Sequence, residues 1–400
     1  MKHKLLSLAV AGLAVSAAHA ADNIPTVYGK LDVTLNQYNY DRAASPTQSY
    51  TAQDNWKLES NASRLGVKGD YPVFGDTKII YKLEYEVYVD SDKQGDNGSD
   101  FKQRNTYGGL QGGWGTVFAG KNDTPLKAIA AETVQLFKDL PLADFKYIMV
   151  GENRENNIIQ YATPNLSGFV VSAQIEPGED SDSHDKNGNT LTTHTNHSFA
   201  DKYSAAITFK QDTLYLALAD DHNEVNSNTV RAVAQYGIGP VTLGALWQSS
   251  DREYSTTPNS TAVTGTGTAA APQYPVGTTL VPASIGSLSA LPNGNNNSAF
   301  NPANEFTSVY KKQDAYALVA AWKINDFTLK AQYARSNSEP DAKALDDTKL
   351  SNYVVGVDYK LNDASKVFAY YAQINAEGDD TKYDSTLREK TFAVGYDFKF

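Results

Sequence analysis

From Val27 to Phe400 the chain alternates apolar and polar side chains every second residue, in short runs separated by turn chemistry, and helix-period apolar patterns are scarce. The clearest run sets Ile79, Tyr81, Leu83, Tyr85, Val87 and Val89 on one face against Lys78, Lys82, Glu84 and Glu86 on the other. Period two is the side-chain repeat of a strand, so each run reads as one strand with an apolar face and a polar face. Sixteen such runs are expected, at residues 27–38, 60–70, 79–89, 101–110, 116–120, 156–163, 169–175, 202–210, 213–219, 229–238, 241–249, 314–323, 327–335, 352–360, 366–374 and 390–400.

The connections alternate in length. Seven are short and carry turn residues, for example Gly112-Gly113-Trp114-Gly115, Ile238-Gly239-Pro240 and Asn325-Asp326. Eight are expected to be long and polar, centred near Ser49, Gly95, residues 121–153, 176–200, Asn223, 250–312, Glu339 and Gly378. Fifteen connections fit a sixteen-stranded up-and-down meander with short turns on one rim and long loops on the other. That asymmetry belongs to membrane barrels rather than to soluble sandwiches or propellers. The expected fold is therefore all-β, a 16-stranded antiparallel transmembrane β-barrel.

Composition is compatible with this. Only 41% of residues are hydrophobic and no apolar run outside the N-terminus is long enough for a helical span. A closed barrel exposes only alternate side chains to lipid and leaves no backbone edge unpaired, so a largely polar chain suffices. Tyr28, Tyr81, Tyr85, Tyr161, Tyr203, Trp247, Tyr333, Tyr353, Tyr359, Tyr371 and Tyr396 fall in the strands, as girdles at the membrane interfaces require. The net charge of −11 disfavours nucleic acid as a partner, and the absence of cysteine removes disulfides, thiolate catalysis and Cys-ligated metals.

Residues 1–20 read as a secretory signal, with Lys2, His3 and Lys4 ahead of an apolar core and Ala18-His19-Ala20 as the cleavage site. Its removal leaves residues 21–400 at a net charge of −13. The last strand carries Phe392, Val394, Tyr396, Phe398 and Phe400 at period two, and Tyr396, Phe398 and Phe400 are the candidate assembly signal. His184, His194 and His197 lie near Asp180, Asp182 and Asp185, but a flexible loop gives no fixed ligand geometry, so no metal or other cofactor is expected. Residues 90–101 fail as a calcium loop, because Gln94 and Phe101 stand where acids are needed. Neither a Walker lysine motif nor a G-x-S-x-G elbow is present, and no enzyme activity is expected.

Four stretches, Val27-Tyr28-Gly29-Lys30, Ser63-Arg64-Leu65-Gly66-Val67-Lys68-Gly69, residues 104–120 and residues 396–400, resemble the trimeric general porins of Gram-negative bacteria. The resemblance covers about residues 27–400. It implies a homotrimer in the outer membrane, an inward-folded third loop, and passive diffusion of small hydrophilic solutes. It also implies contact with lipid, lipopolysaccharide and the outer-membrane assembly machinery. A solute-specific channel and a barrel adhesin are the alternatives.

By the family's motifs, Lys30, Arg64, Lys102, Arg104 and Arg154 look like the basic wall of a constriction. Parity independently turns Lys30 and Arg64 away from Leu31, Val33, Leu65 and Val67, toward the lumen. The third loop is expected at residues 121–153, with Glu132, Asp139 and Asp144 facing that wall and a short helix at 128–137 begun by Thr124-Pro125. The Pro-Glu-Phe-Gly-Gly tip of enterobacterial relatives is absent, and Leu140-Pro141-Leu142-Ala143-Asp144-Phe145 stands there instead. Each charge alone also fits a solvated lumen residue or an ion pair fixing loop to wall. The acidic balance of the chain leans toward cations. Residues 255–304 hold no charged residue and six prolines, and the sequence assigns that loop no role.

Overall fold

The computed structural model describes residues 24–42, 53–90, 100–178, 183–184, 190–192, 199–224, 227–252, 310–340, 347–378 and 386–400. The expected signal at 1–20, most of the long loop 250–312, and His194 and His197 lie outside the described residues.

Sixteen strands form one closed antiparallel sheet. They are β1 (Thr26–Arg42), β2 (Gln53–Ser60 and Arg64–Phe74), β3 (Thr77–Val87), β4 (Phe101–Gln103 and Thr106–Gly112), β5 (Gly115–Asp123) and β6 (Arg154–Ala162). Next come β7 (Phe169–Glu176), β8 (Lys202–Gln211), β9 (Leu214–Glu224), β10 (Ser227–Ile238) and β11 (Val241–Arg252). The last five are β12 (Tyr310–Ile324), β13 (Phe327–Pro340), β14 (Thr348–Lys360), β15 (Ser365–Gly378) and β16 (Thr386–Lys399). Each strand pairs with its sequence neighbours, and β16 closes on β1 in a register running from Lys30 opposite Lys399 to Arg42 opposite Leu387. Closure leaves no edge strand, so every spanning backbone donor finds a partner inside the sheet. The chain end seals the ring: the Gly29 N–H donates to the Phe400 carbonyl at 2.9 Å and the Phe400 N–H donates back at 3.2 Å. Gly29 makes room for the Phe400 ring, which would have to move if a Cβ stood 2.3 Å from it.

The sequence pattern and the fold agree on parity. Leu31, Leu35, Leu65, Ile79, Leu83, Tyr85, Leu218, Trp247, Leu318, Tyr353, Val355 and Val394 are all exposed large apolar side chains on the outer face. An apolar surface of this extent, running around the whole sheet, matches hydrocarbon rather than water. Tyr28 differs from expectation. It shares the inner face with Lys30 and donates its hydroxyl to Glu84 at 2.9 Å, so it is no part of an interfacial girdle. The connection near Asn223 also differs. β9 runs to Glu224 and β10 starts at Ser227, so only two residues separate them and the polar residues around Asn223 belong to extended strands.

The segment between β5 and β6, residues 124–153, lies against the inner face of the sheet. Thr124 caps the helix α1 (Pro125–Ala131), its side chain accepting from the Lys127 N–H, with Pro125 in the first turn. The helix starts where the sequence indicates and ends earlier, at Ala131, because Thr133 turns its hydroxyl back onto the Ile129 carbonyl. Leu126, Ile129, Val134, Phe137, Leu142, Phe145, Ile148 and Met149 are buried, packed with Val233, Leu246, Val319, Val354 and Tyr370 of the wall. The apolar core thus sits inside the barrel, between loop and wall. Gly244 and Gly356 allow the approach, since a Cβ on them would meet Val134 at 2.6 Å and Phe137 at 2.8 Å.

Candidate functional site: a charged row facing the inner loop

Antiparallel registers place Lys30 of β1 beside Arg64 of β2, Arg64 beside Glu86 of β3, and Glu86 beside Lys102 of β4. Residues paired in register point to one face, so these four make a row across four strands on the inner face. Arg104 joins the row where β4 is interrupted. Its backbone N–H donates to the Glu84 carbonyl at 2.9 Å, and its guanidinium meets Glu84 at 3.1 Å and Glu86 at 2.9 Å. It is 5% exposed, which only full pairing of a buried cation allows.

From the loop side, one acid reaches the row. Asp139 lies 3.4 Å from Arg64 and 3.9 Å from Lys30. Its backbone has φ 69°, a left-handed conformation held because its N–H donates to the Asp144 carboxylate at 2.6 Å. Burial works against ionisation of Asp139, but the positive charges of Arg104, Lys30, Arg64 and Lys138 outweigh it and hold the carboxyl well below the usual range.

The other candidates are placed differently. Asp144 is buried and faces its own loop, accepting from the N–H groups of Asp139 and Lys146 and from the Gln135 amide. Glu132 has its side chain 88% exposed, 3.4 Å from Lys138 and away from the row. Lys102 keeps the register but is exposed. Arg154 pairs with Asp123 at 2.9 Å, and Asp123 also binds Lys127 of α1 at 3.1 Å, which fixes the two ends of the loop to each other.

Comparison with known proteins decides the family. A family model described as Gram-negative porin matches residues 7–303. The chain belongs to the Gram-negative porin family. Outer membrane porin protein 32 of Delftia acidovorans is 30% identical over 178 residues, 42% of this chain and 48% of that protein. Chitoporin of Vibrio furnissii is 25% identical over 423 residues, 99% of this chain and all of that protein. The match spans 65% and 56% of the P.IB proteins of Neisseria sicca and Neisseria gonorrhoeae, so it covers about half to two thirds of several curated relatives. Among solved structures, the anion-selective porin from Comamonas acidovorans superposes with a TM-score of 0.61 at 17% identity, covering 95% of this chain and 100% of that one. At that identity the likeness is one of fold. Family and barrel place the chain in the outer membrane, within a family of channels rather than enzymes.

Several residues of this porin's inner wall carry charge that motif reasoning passed over. Lys30 binds Asp32 at 2.6 Å and Asp397 at 3.7 Å, and Lys82 binds Glu84 at 3.3 Å. Their signal was present as parity, since Asp32 follows Lys30 by two and Glu84 and Glu86 share the charged face of β3. On the opposite wall, Arg231 of β10 is fully buried and pairs with Glu152 at 2.8 Å while also donating to the carbonyls of Leu126 and Val150. Burial pushes the Glu152 carboxyl up, and Arg231 offsets this only in part. Gln332, Asn352 and Tyr370 donate to the carbonyls of Ala143, Leu142 and Pro141. Polar wall side chains therefore satisfy the loop backbone that lacks secondary structure of its own.

Proposed function

We propose that the chain forms a water-filled pore through which small hydrophilic solutes and ions diffuse passively, narrowest between the inner loop and the row of Lys30, Arg64 and Arg104. The observation that carries this is the reach of Asp139 to Arg64 and Lys30 while the rest of the loop is docked on the opposite wall. Opposite fixed charges across a narrow aqueous gap make a transverse field that orients dipolar solutes and separates cation from anion paths. No bond is made or broken.

The row itself is close to balanced, because its bases face Asp32, Glu84, Glu86, Asp139 and Asp397. The acidic excess of the whole chain then sets a weak preference for cations. We assign the functional unit as a homotrimer, in keeping with OmpT of Vibrio cholerae, a structure of like fold with a trimer form at TM-score 0.58 and 14% identity. Residues 1–20 serve export, residues 21–400 form the barrel, and the Tyr396, Phe398 and Phe400 stripe serves recognition by the assembly machinery. The outer face contacts lipid, and the long loops face lipopolysaccharide.

Liposome swelling with uncharged sugars of increasing size tests this reading. Rates linear in concentration with a sharp size limit support free diffusion. Saturating rates favour a solute-specific channel, the reading that the full-length alignment with chitoporin supports. Absence of any flux sinks both and favours an adhesin.

A further inference from the structure

Three carboxylates outside the charged row converge where the inner loop rejoins the barrel. Glu155 opens β6, Glu176 closes β7 and Glu224 closes β9, all at the long-loop rim. One oxygen from each lies within 4.8 Å of the others. Lys202 of β8 approaches Glu176 at 2.8 Å and neutralises one of the three charges, so a balance of −2 remains. Glu224 is 1% exposed, and among the described residues neither of its carboxylate oxygens has a hydrogen-bond donor; the second oxygen of Glu176 is likewise unpaired. Two positions before Glu176 on the same face, Gln174 is also 1% exposed with both amide atoms unpaired among the described residues. Buried polar atoms are normally satisfied, so the unpaired oxygens of Glu224 and Glu176, on carboxylates that meet a third, call for a missing partner.

We propose that Glu155, Glu176 and Glu224 bind a calcium ion that ties β6, β7 and β9 together at the foot of the inner loop. The donor set is oxygen only, which suits a hard cation and not zinc or copper. Size separates the two common hard cations. Oxygens on one calcium ion at about 2.3–2.6 Å stand up to about 5 Å apart, whereas magnesium at about 2.0–2.1 Å holds them within about 4.2 Å. Oxygens standing within 4.8 Å of one another are gathered by the longer bonds of calcium with a smaller inward shift than magnesium requires. Residual charge of −2 against a divalent cation leaves the buried site neutral. The adjoining Arg154 and Asp123 contacts would then hang from a cross-linked rim, so calcium would hold the end of the loop in place.

Equilibrium dialysis of the detergent-solubilised full chain against labelled calcium, after chelation and with magnesium in excess, tests the site. One saturable calcium site per chain is expected, weakened at least about tenfold in both Glu224→Gln and Glu155→Gln. Asp212→Asn, at a short turn on the opposite rim, should bind as the parent does. Calcium should also raise the temperature of trimer or barrel melting in the parent and not in Glu224→Gln. No saturable site in the parent, or uptake identical in the parent and both glutamine variants, overturns the proposal. The first outcome would mean that Glu155 and Glu224 share a proton instead, and the second that calcium sits on the outer loops. If one glutamine variant fails to fold, the other, compared with the parent and with Asp212→Asn, decides.

Discussion

The Arg64 guanidinium of the barrel wall stands 3.4 Å from the Asp139 carboxylate at the turn of the inner loop, joining two segments 75 residues apart. Asp139→Asn keeps this backbone, since asparagine tolerates the left-handed conformation, and removes one negative charge from the gap. An ion passing about 4 Å from a unit charge in water feels about 1 kcal/mol. The variant should therefore shift permeability several-fold toward anions at unchanged barrel stability. Reversal potentials in a salt gradient check this, and an unshifted value would remove Asp139 from the ion path.

Asp139 also sets a pH dependence. Its carboxyl is held below the ordinary aspartate value of about 3.9 by the surrounding bases, against the effect of burial. A lowered value in the folded state means that the loop-to-wall attraction is fully present above about pH 4 and is lost as pH falls through the lowered value. The part of conductance and selectivity that depends on Asp139, read as the difference between the parent and Asp139→Asn, should therefore hold from neutral pH down to about pH 4 and change only in stronger acid. A transition centred between pH 5 and 7 in the parent that vanishes in Asp139→Asn would contradict this.

Loop docking depends most on Arg231. Arg231→Met would leave Glu152 buried without its cation, with only the Gln135 amide donating to it, and would take one donor each from the carbonyls of Leu126 and Val150, the latter keeping the Gln248 amide; the loss is about 3–5 kcal/mol for a broken buried pair. The barrel strands do not depend on that pair, so strand content should persist while open-channel noise and proteolysis within 124–153 both increase. Quiet channels with a protease-resistant loop would show that the apolar contacts of Phe137 and Phe145 hold the loop unaided.

The outer face has its own test. Leu218 is at the middle of β9 and half exposed on the apolar belt. Leu218→Arg should destabilise folding into bilayers by about 2–4 kcal/mol, the cost of a cation near the hydrocarbon midplane. Folding titrations into lipid vesicles measure it, and a cost near zero would place this face in water.

Much of this was legible in the sequence, and for a physical reason. A strand with hydrocarbon on one face and water on the other must alternate, so β1, β3 and β16 announced themselves. Parity likewise turned Lys30 and Arg64 inward, as the structure has them. The alternation weakens in β9, β10, β12 and β15 because part of their inner face is not polar: Ala217, Val233, Val319 and Ala372 pack the loop. Apolar side chains on both faces blur a period-two signal. The loop acids were hardest, because nothing local distinguishes Asp139, which reaches the wall, from Asp144, which holds the loop's own backbone. Arg231 and Glu152 carried no signal at all. Their pairing spans 79 residues and exists only once the loop is inside the barrel.

The most direct measurement is single-channel recording of the purified chain in a planar bilayer across a salt gradient. Stepwise, ohmic conductance with a reversal potential of the sign for modest cation preference is predicted. Correctly folded, heat-stable barrels that insert and conduct no ions would contradict the account.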